Sequence, residues 1–267
     1  MDEIWTLRPL LDSPLFPWLA LALGLIVGSF SNVLIHRLPL GQSVVSPRSR
    51  CPRCGRPIAA VENVPVLSWL ALRGRCRGCR APISVRYPLV EAATGAGYFA
   101  LAWWLGPQPR TAVLMALLTA LLVLALIDLD HHLLPDVITL PGTLAGLLAS
   151  LLPGHPSPLE SALSAAAGYL GFGAVALAYR KARGVEGLGR GDWKMAAMLG
   201  AFLGWQGLLL TVFLAALSGT LVGVALMARG RTSQHELPLG TFLAAAGIVT
   251  LFVGPPILAW YGNLLRV

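Results

Sequence analysis

The sequence predicts an all-α polytopic membrane protein of about eight transmembrane helices, with one small extramembrane domain in its first inside loop. Composition is the first observation: 56% of the 267 residues are hydrophobic, 12% are charged and the mean hydropathy is +0.71. A soluble domain carries charge on about a quarter of its residues. The second is a set of charge-free runs at 15–35, 111–127, 161–178, 207–228 and 237–261, of 21, 17, 18, 22 and 25 residues. A helix needs about 20 apolar residues to cross the hydrocarbon core. The third is the lack of alternating ten-residue segments, which excludes a β-barrel.

In chain order the expected spans are 15–35, 89–106, 111–128, 137–152, 159–179, 193–205, 207–228 and 238–260. The acidic start MDEIWTLRPLLDSP has neither the basic region nor the small-residue cleavage site of a signal peptide, so the first span reads as a retained anchor. Turn chemistry separates later spans: Gly106-Pro107-Gln108-Pro109, the Pro153 to Pro158 segment, and Gly204-Trp205-Gln206-Gly207. The last of these divides 193–228 into two helices; a single long tilted helix is the alternative. With the amino terminus outside (periplasmic), the inside loops are 36–88, 129–136, 180–192 and 229–236. With Lys194 at the helix entry after the third loop, seventeen Lys/Arg then lie inside and three outside (Arg8, Arg110 and Arg266), a strong orientation signal.

Net charge is +8, yet ten of the twenty basic residues fall between Arg37 and Arg86. Basic clusters between spans are topology signals and surfaces for anionic lipid. No aromatic stacking platform accompanies them, so nucleic acid is not an expected partner. Small residues such as those of Ala165-Ala166-Ala167-Gly168 and Gly171-Phe172-Gly173 suit close helix packing.

Only residues 37–88 form a loop long enough for a small domain, and so short a domain needs a staple. All four cysteines lie there, as Cys51-Pro-Arg-Cys54 and Cys76-Arg-Gly-Cys79. Two C-x2-C pairs, with Gly55 and Gly78 at knuckle-like turns, can close a four-thiolate zinc site with no open position for catalysis. A cytoplasmic location disfavours disulfides. A zinc-ribbon-like domain with structural zinc is the expectation; a redox dithiol or unliganded thiols are the alternatives.

Two carboxylates stand at span ends: Asp128, within Ile127-Asp128-Leu129-Asp130-His131-His132-Leu133-Leu134-Pro135-Asp136, and Asp192, within Gly189-Arg190-Gly191-Asp192-Trp193-Lys194. Ionisable residues at the membrane edge mark function. Two at one depth can share a proton, one acting as base and the other as acid. Gly189 and Gly191 admit close approach of another chain, and a helix start favours the Asp192 anion. Asp130 and Asp136 also read as solvated residues or helix caps, and the pair Asp128/Asp192 as a proton path. His235-Glu236 is not followed by the second histidine of a zinc protease motif. There is neither a G-x-S-x-G elbow nor a dinucleotide fingerprint.

Together these residues resemble the type IV prepilin peptidases, bifunctional leader peptidases and N-methyltransferases of bacterial inner membranes. The resemblance runs through Gly28-Ser29-Phe30-Ser31-Asn32-Val33 and Arg37-Leu38-Pro39 to both cysteine pairs. It includes Asn63-Val64-Pro65-Val66-Leu67-Ser68-Trp69-Leu70, Arg73-Gly74-Arg75-Cys76 and Arg86-Tyr87-Pro88-Leu89-Val90-Glu91. It continues through Asp128 to Pro135-Asp136, the Gly189-x-Gly191-Asp192-x-Lys194 segment and Pro238-Leu239-Gly240. His36 stands where many relatives have tyrosine, and Thr241 where the family usually continues with proline.

The resemblance implies a G-x-G-D intramembrane aspartic protease with Asp128 and Asp192 as its catalytic pair. Gly189, Gly191, Lys194, Asp130, Pro135 and Asp136 would support that site. Asp130, two residues from Asp128, would lie on a different helix face. The implied reaction cuts prepilin or pseudopilin leaders after a glycine at the cytoplasmic face, then methylates the new amine from S-adenosylmethionine. The cysteines favour the bifunctional form, with Asn32 and Glu91 as candidates for the methyltransferase part. The expected domains are 1–36, periplasmic segment and first span; 37–88, the four-cysteine domain with the methyltransferase part; and 89–267, the peptidase core. A peptidase without methyltransferase activity, or a proton-coupled transporter with polar residues lining its spans, are the competing functions.

Overall fold

A computed structural model describes residues 14–185, 187–229 and 238–264. The expected periplasmic segment before residue 14 and most of the expected inside loop 229–236 lie outside the described residues. Eight α-helices follow in order: α1 (Phe16–Arg37), α2 (Leu67–Ala71), α3 (Arg86–Leu105), α4 (Pro109–His131), α5 (Asp136–Ala149), α6 (Pro158–Arg183), α7 (Arg190–Ala228) and α8 (Leu239–Leu264). Among the described residues there are no strands, only isolated bridges at Arg50–Pro57 and Arg75–Pro82.

All eight expected spans are helical, but the helices do not match them one for one. Among the described residues five helices are long and apolar enough to cross a membrane unaided: α1, α4, α6, α7 and α8. The fold is therefore a multi-pass helical membrane protein. Helix α5, with 14 residues, would extend only about 21 Å if straight, short of the roughly 30 Å hydrocarbon core. Residues 193–205 and 207–228 share α7, which is broken at Gly204, with φ 68° and ψ −178°. A Cβ there would stand 2.6 Å from Glu160 Oε1 in the first turn of α6, so position 204 combines a left-handed backbone with close approach.

The chain divides into two compact units, with the boundary in sequence falling within α4, between Thr119 and Ala120. In the first, α1 packs along α3. Gly28 allows the approach, since a Cβ on it would lie 2.7 Å from Glu91 Cα. Asn32 Nδ2 donates to the Gly28 and Tyr87 carbonyls at 3.3 and 3.2 Å.

In the second unit α7 packs against α5, α6 and α8. Helix α6 begins with Ser157 accepting the Glu160 amide and ends at left-handed Gly184, standard start and stop signals. The α6–α7 contact is made by small residues. A Cβ on Gly168 would stand 2.5 Å from the Ala196 carbonyl oxygen, one on Gly200 would collide with that of Ser164, and Ser161 Oγ donates to Ala201 O at 2.7 Å. Leu209, Phe213, Leu217 and Leu221, four residues apart on α7, are exposed as a lipid-facing stripe.

Gly168 and Gly171 lie on the same helix, but a Cβ on Gly171 meets nothing within 4 Å. Gly168→Val should destabilise the detergent-solubilised protein by about 1–3 kcal/mol, whereas Gly171→Ala should change stability by less than about 0.5 kcal/mol. Denaturant titrations of both variants check the contrast.

Candidate active site and cysteine centre

Four helix ends meet in the second unit: the carboxyl end of α4 and the amino ends of α5, α7 and α8. Asp128 lies in the last turn of α4 and is buried. After His131 the backbone turns through His132, at φ 52°, and reaches Pro135 before α5 starts. Leu134 within this turn is buried against Gly191 and Gly240, where added Cβ atoms would stand 2.9 and 2.8 Å from it. It wedges the start of α7 and the start of α8 against the end of α4.

Asp192 occupies the first turn of α7 and is also buried. Its Oδ2 accepts the Gly189 N–H at 3.1 Å, the reciprocal half of a capping box. The Asp128 and Asp192 carboxylates are close enough to interact electrostatically, and His132 acts on Asp128 with the opposite sign. Asp128 Oδ2 accepts the Thr241 N–H at 2.6 Å and lies 3.1 Å from the Thr241 hydroxyl. Each carboxylate thus takes a backbone amide from the opening of a helix.

The supporting residues divide by position. Asp130 is exposed, two residues along the helix from buried Asp128. Asp136 is the first residue of α5, behind Pro135 in the cap position, so it is not the helix cap that its place before Val137 suggested. Its two oxygens receive Lys194 Nζ at 2.7 Å each, joining α5 to α7. Gly189 and Gly191 both have negative φ; Gly191 serves close packing on Leu134, and Gly189 supplies the amide to Asp192. Thr241, which the sequence marked only as a departure from a pattern, joins the site through its main chain and hydroxyl. The signal was its place after Gly240, whose missing side chain leaves room for Asp128: a Cβ there would stand 2.9 Å from Asp128 Cγ.

In the first unit the cysteines converge, with the four sulfurs within 4.8 Å of one another and Cys51 Sγ 3.8 Å from Cys79 Sγ. Thiolates at about 2.3 Å on a tetrahedral zinc ion lie about 3.8 Å apart, so the donor set fits that ion. Two similar knuckles present the sulfurs. Cys51 N–H donates to Arg56 O and Gly55 N–H to Cys51 O; Cys76 N–H donates to Ala81 O and Arg80 N–H to Cys76 O.

The left-handed residue four after the first cysteine is Gly55 in one knuckle and Arg80 in the other. Gly78 was expected to make the second turn; its actual role is close approach, 3.2 Å from Arg56 Cδ for an added Cβ. The Cys54 and Arg53 amides hold the Cys51 thiol down at about 6. At Cys79, the Ala81 amide pulls downward, but burial and the other three thiols prevail and push it up to about 11. Such a cluster resists full deprotonation until a cation offsets its charge.

Glu62 ties the knuckles together, accepting Arg56 Nη2 at 2.9 Å and Arg77 Nη1 at 3.4 Å, and the Arg56 contact holds its carboxyl below the usual range. Glu91 on α3 is buried and accepts the Val66 N–H at 2.7 Å. That bond holds a β-branched residue at φ 61°, ψ −51°, a region costing about 1–3 kcal/mol.

Fold and site define a class: a multi-pass helical membrane protein with a buried aspartate pair at its gathered helix ends and a four-cysteine loop domain. Comparison with known proteins narrows it. The bacterial peptidase A24 N-terminal domain matches residues 22–105, and the type IV leader peptidase family matches residues 115–224. A prepilin leader peptidase/N-methyltransferase of Aeromonas hydrophila is 42% identical, the alignment covering 92% of this chain and 94% of that protein. One from Stutzerimonas stutzeri is 41% identical over 97% and 98%, and one from Myxococcus xanthus 48% over 83% and 67%. The chain belongs to the type IV leader peptidase family. No solved structure matches it.

Elemental analysis should find zinc in purified wild type and its loss from the Cys51→Ser and Cys79→Ser proteins. Limited proteolysis should then cut within residues 37–88 faster than in wild type.

Proposed function

We propose that this protein cleaves the leader of type IV prepilins or pseudopilins after a glycine at the cytoplasmic face, then methylates the exposed amine. The observation that carries the peptidase reading is the burial of Asp128 and Asp192 at converging helix ends, each carboxylate accepting a helix-opening amide. The relatives' names support both activities.

Water between the carboxylates attacks the carbonyl of the glycine. The ionised carboxylate takes the water proton while the protonated one donates to the carbonyl oxygen. Collapse of the tetrahedral intermediate breaks the C–N bond, and a proton passes to the departing amine. In this reading Asp128 and Asp192 share one proton and alternate as base and acid. Lys194 and Asp136 fix α7 against α5 and hold Asp192 in register. For cleavage the substrate helix opens near its glycine. Its basic leader stays cytoplasmic, while the arginines of residues 37–88 face anionic lipid, since they would repel such a leader.

Zinc held by Cys51, Cys54, Cys76 and Cys79 is structural, because four thiolates leave no open position. The methyl group comes from S-adenosylmethionine. We assign that activity to the loop domain and the adjoining ends of α1 and α3. Asn32 and Glu91 lie there, and a buried carboxylate suits a positively charged sulfonium donor. With basic residues retained inside, the amino terminus is periplasmic and the chain resides in the bacterial inner membrane.

Co-expression with a prepilin followed by intact-mass analysis tests the reading. Wild type should remove the leader and add about 14 Da, one methyl substitution. Asp128→Asn and Asp192→Asn should each leave the prepilin uncut while the protein still inserts; normal cleavage by either removes that residue from the pair. Glu91→Gln should yield cleaved pilin with reduced methylation, and full methylation would take Glu91 out of the transferase part.

A further inference from the structure

Thr241 is the third residue of α8, and its amide is one of the helix-opening donors without an intrahelical carbonyl. Asp128 Oδ2 accepts that amide at 2.6 Å, a short N–H···O contact. The Thr241 hydroxyl lies 3.1 Å from the same Oδ2 and 3.1 Å from the Ala125 carbonyl oxygen, one turn before Asp128. A hydroxyl has one hydrogen and two lone pairs, so it cannot donate to both at once. It can donate to Oδ2 when Asp128 is ionised. When Oδ2 carries a proton, the hydroxyl can turn its hydrogen to Ala125 O and accept from the carboxylic acid. Position 240 cannot interpose, because Gly240 presents only backbone to Asp128.

We propose that Thr241 is a positioning residue for Asp128: its amide fixes Oδ2, and its hydroxyl accommodates both protonation states through which the carboxyl cycles. The inference rests on the catalytic reading of Asp128. His132 and Asp192 also act electrostatically around this carboxyl, whereas Thr241 is hydrogen-bonded to it.

The test measures kcat and KM for cleavage of a synthetic prepilin by full-length protein in detergent. Thr241→Val keeps the amide and loses the hydroxyl. It should lower kcat about tenfold, with KM within about twofold of wild type, because Thr241 acts on the carboxyl and not on substrate. Thr241→Ser restores the hydroxyl and should recover kcat to within about threefold of wild type. Thr241→Pro removes both donors at a position where proline's φ suits a first helical turn, and should fall below Thr241→Val.

Wild-type kcat in the valine and proline variants, with Asp128→Asn inactive beside them, overturns the role of Thr241 and leaves the catalytic pair standing. Serine as impaired as valine overturns it equally, since side-chain shape would then explain the loss. Cleavage by Asp128→Asn overturns the catalytic reading, and the Thr241 role with it. Size-exclusion profiles establish folding. Should the proline variant aggregate, the valine–serine contrast decides alone.

Discussion

Two buried carboxylates at converging helix ends define the central constraint on the second unit. An ionised carboxylate in a low-dielectric interior needs fixed dipoles in place of hydration. The fold supplies them by bringing the amino ends of α5, α7 and α8 to the place where α4 ends. Each helix opening contributes unsatisfied N–H groups and positive dipole ends. Two of those amides, from Gly189 and Thr241, donate to Asp192 and Asp128. Leu134 keeps the ends together by filling the space left by Gly191 and Gly240. The Lys194–Asp136 pair locks the α5 and α7 openings, and the small-residue seam of α6 against α7 holds the longest helix in place.

The loop domain meets a different constraint. A segment of this length cannot bury enough apolar surface to stand alone. Its order comes from polar devices: a four-thiolate cluster, Glu62 bridging the two knuckles, and Glu91 anchoring Val66 from α3. The anchor makes the loop continuous with the first helical unit. In the proposed function, this is where the second activity resides.

Much of this was legible in the chain. Charge-free runs located the five longest helices, and the glycines at 204 and 207 located the break in α7, because a residue at φ 68° interrupts a helix wherever it falls. The C-x2-C spacing foretold the cysteine cluster, since two residues between thiols fit one tetrahedral centre. The 3.6-residue period separated Asp128 from Asp130, and the structure places the first buried and the second exposed.

Other features depend on contacts between distant residues. Span count is one: α5 is too short to cross unaided, and its place is set by packing against α7. The second knuckle is another, because Arg80 adopts a left-handed backbone usually reserved for glycine, while Gly78 serves interknuckle packing. Thr241 is the clearest case. Its partner is 113 residues away, and local pattern described only what it was not. Its contact follows from helix openings converging, which no window of sequence contains.

The central claim is that Asp128 and Asp192 jointly hold the reacting water. The most direct measurement is an experimental structure of the protein with a prepilin-derived peptide whose scissile amide, after the glycine, is replaced by a hydroxyethylene group. The account predicts the inhibitor hydroxyl within hydrogen-bond distance of both carboxylates, with the glycine side of the peptide opened from helix. A hydroxyl bound away from either aspartate would contradict it.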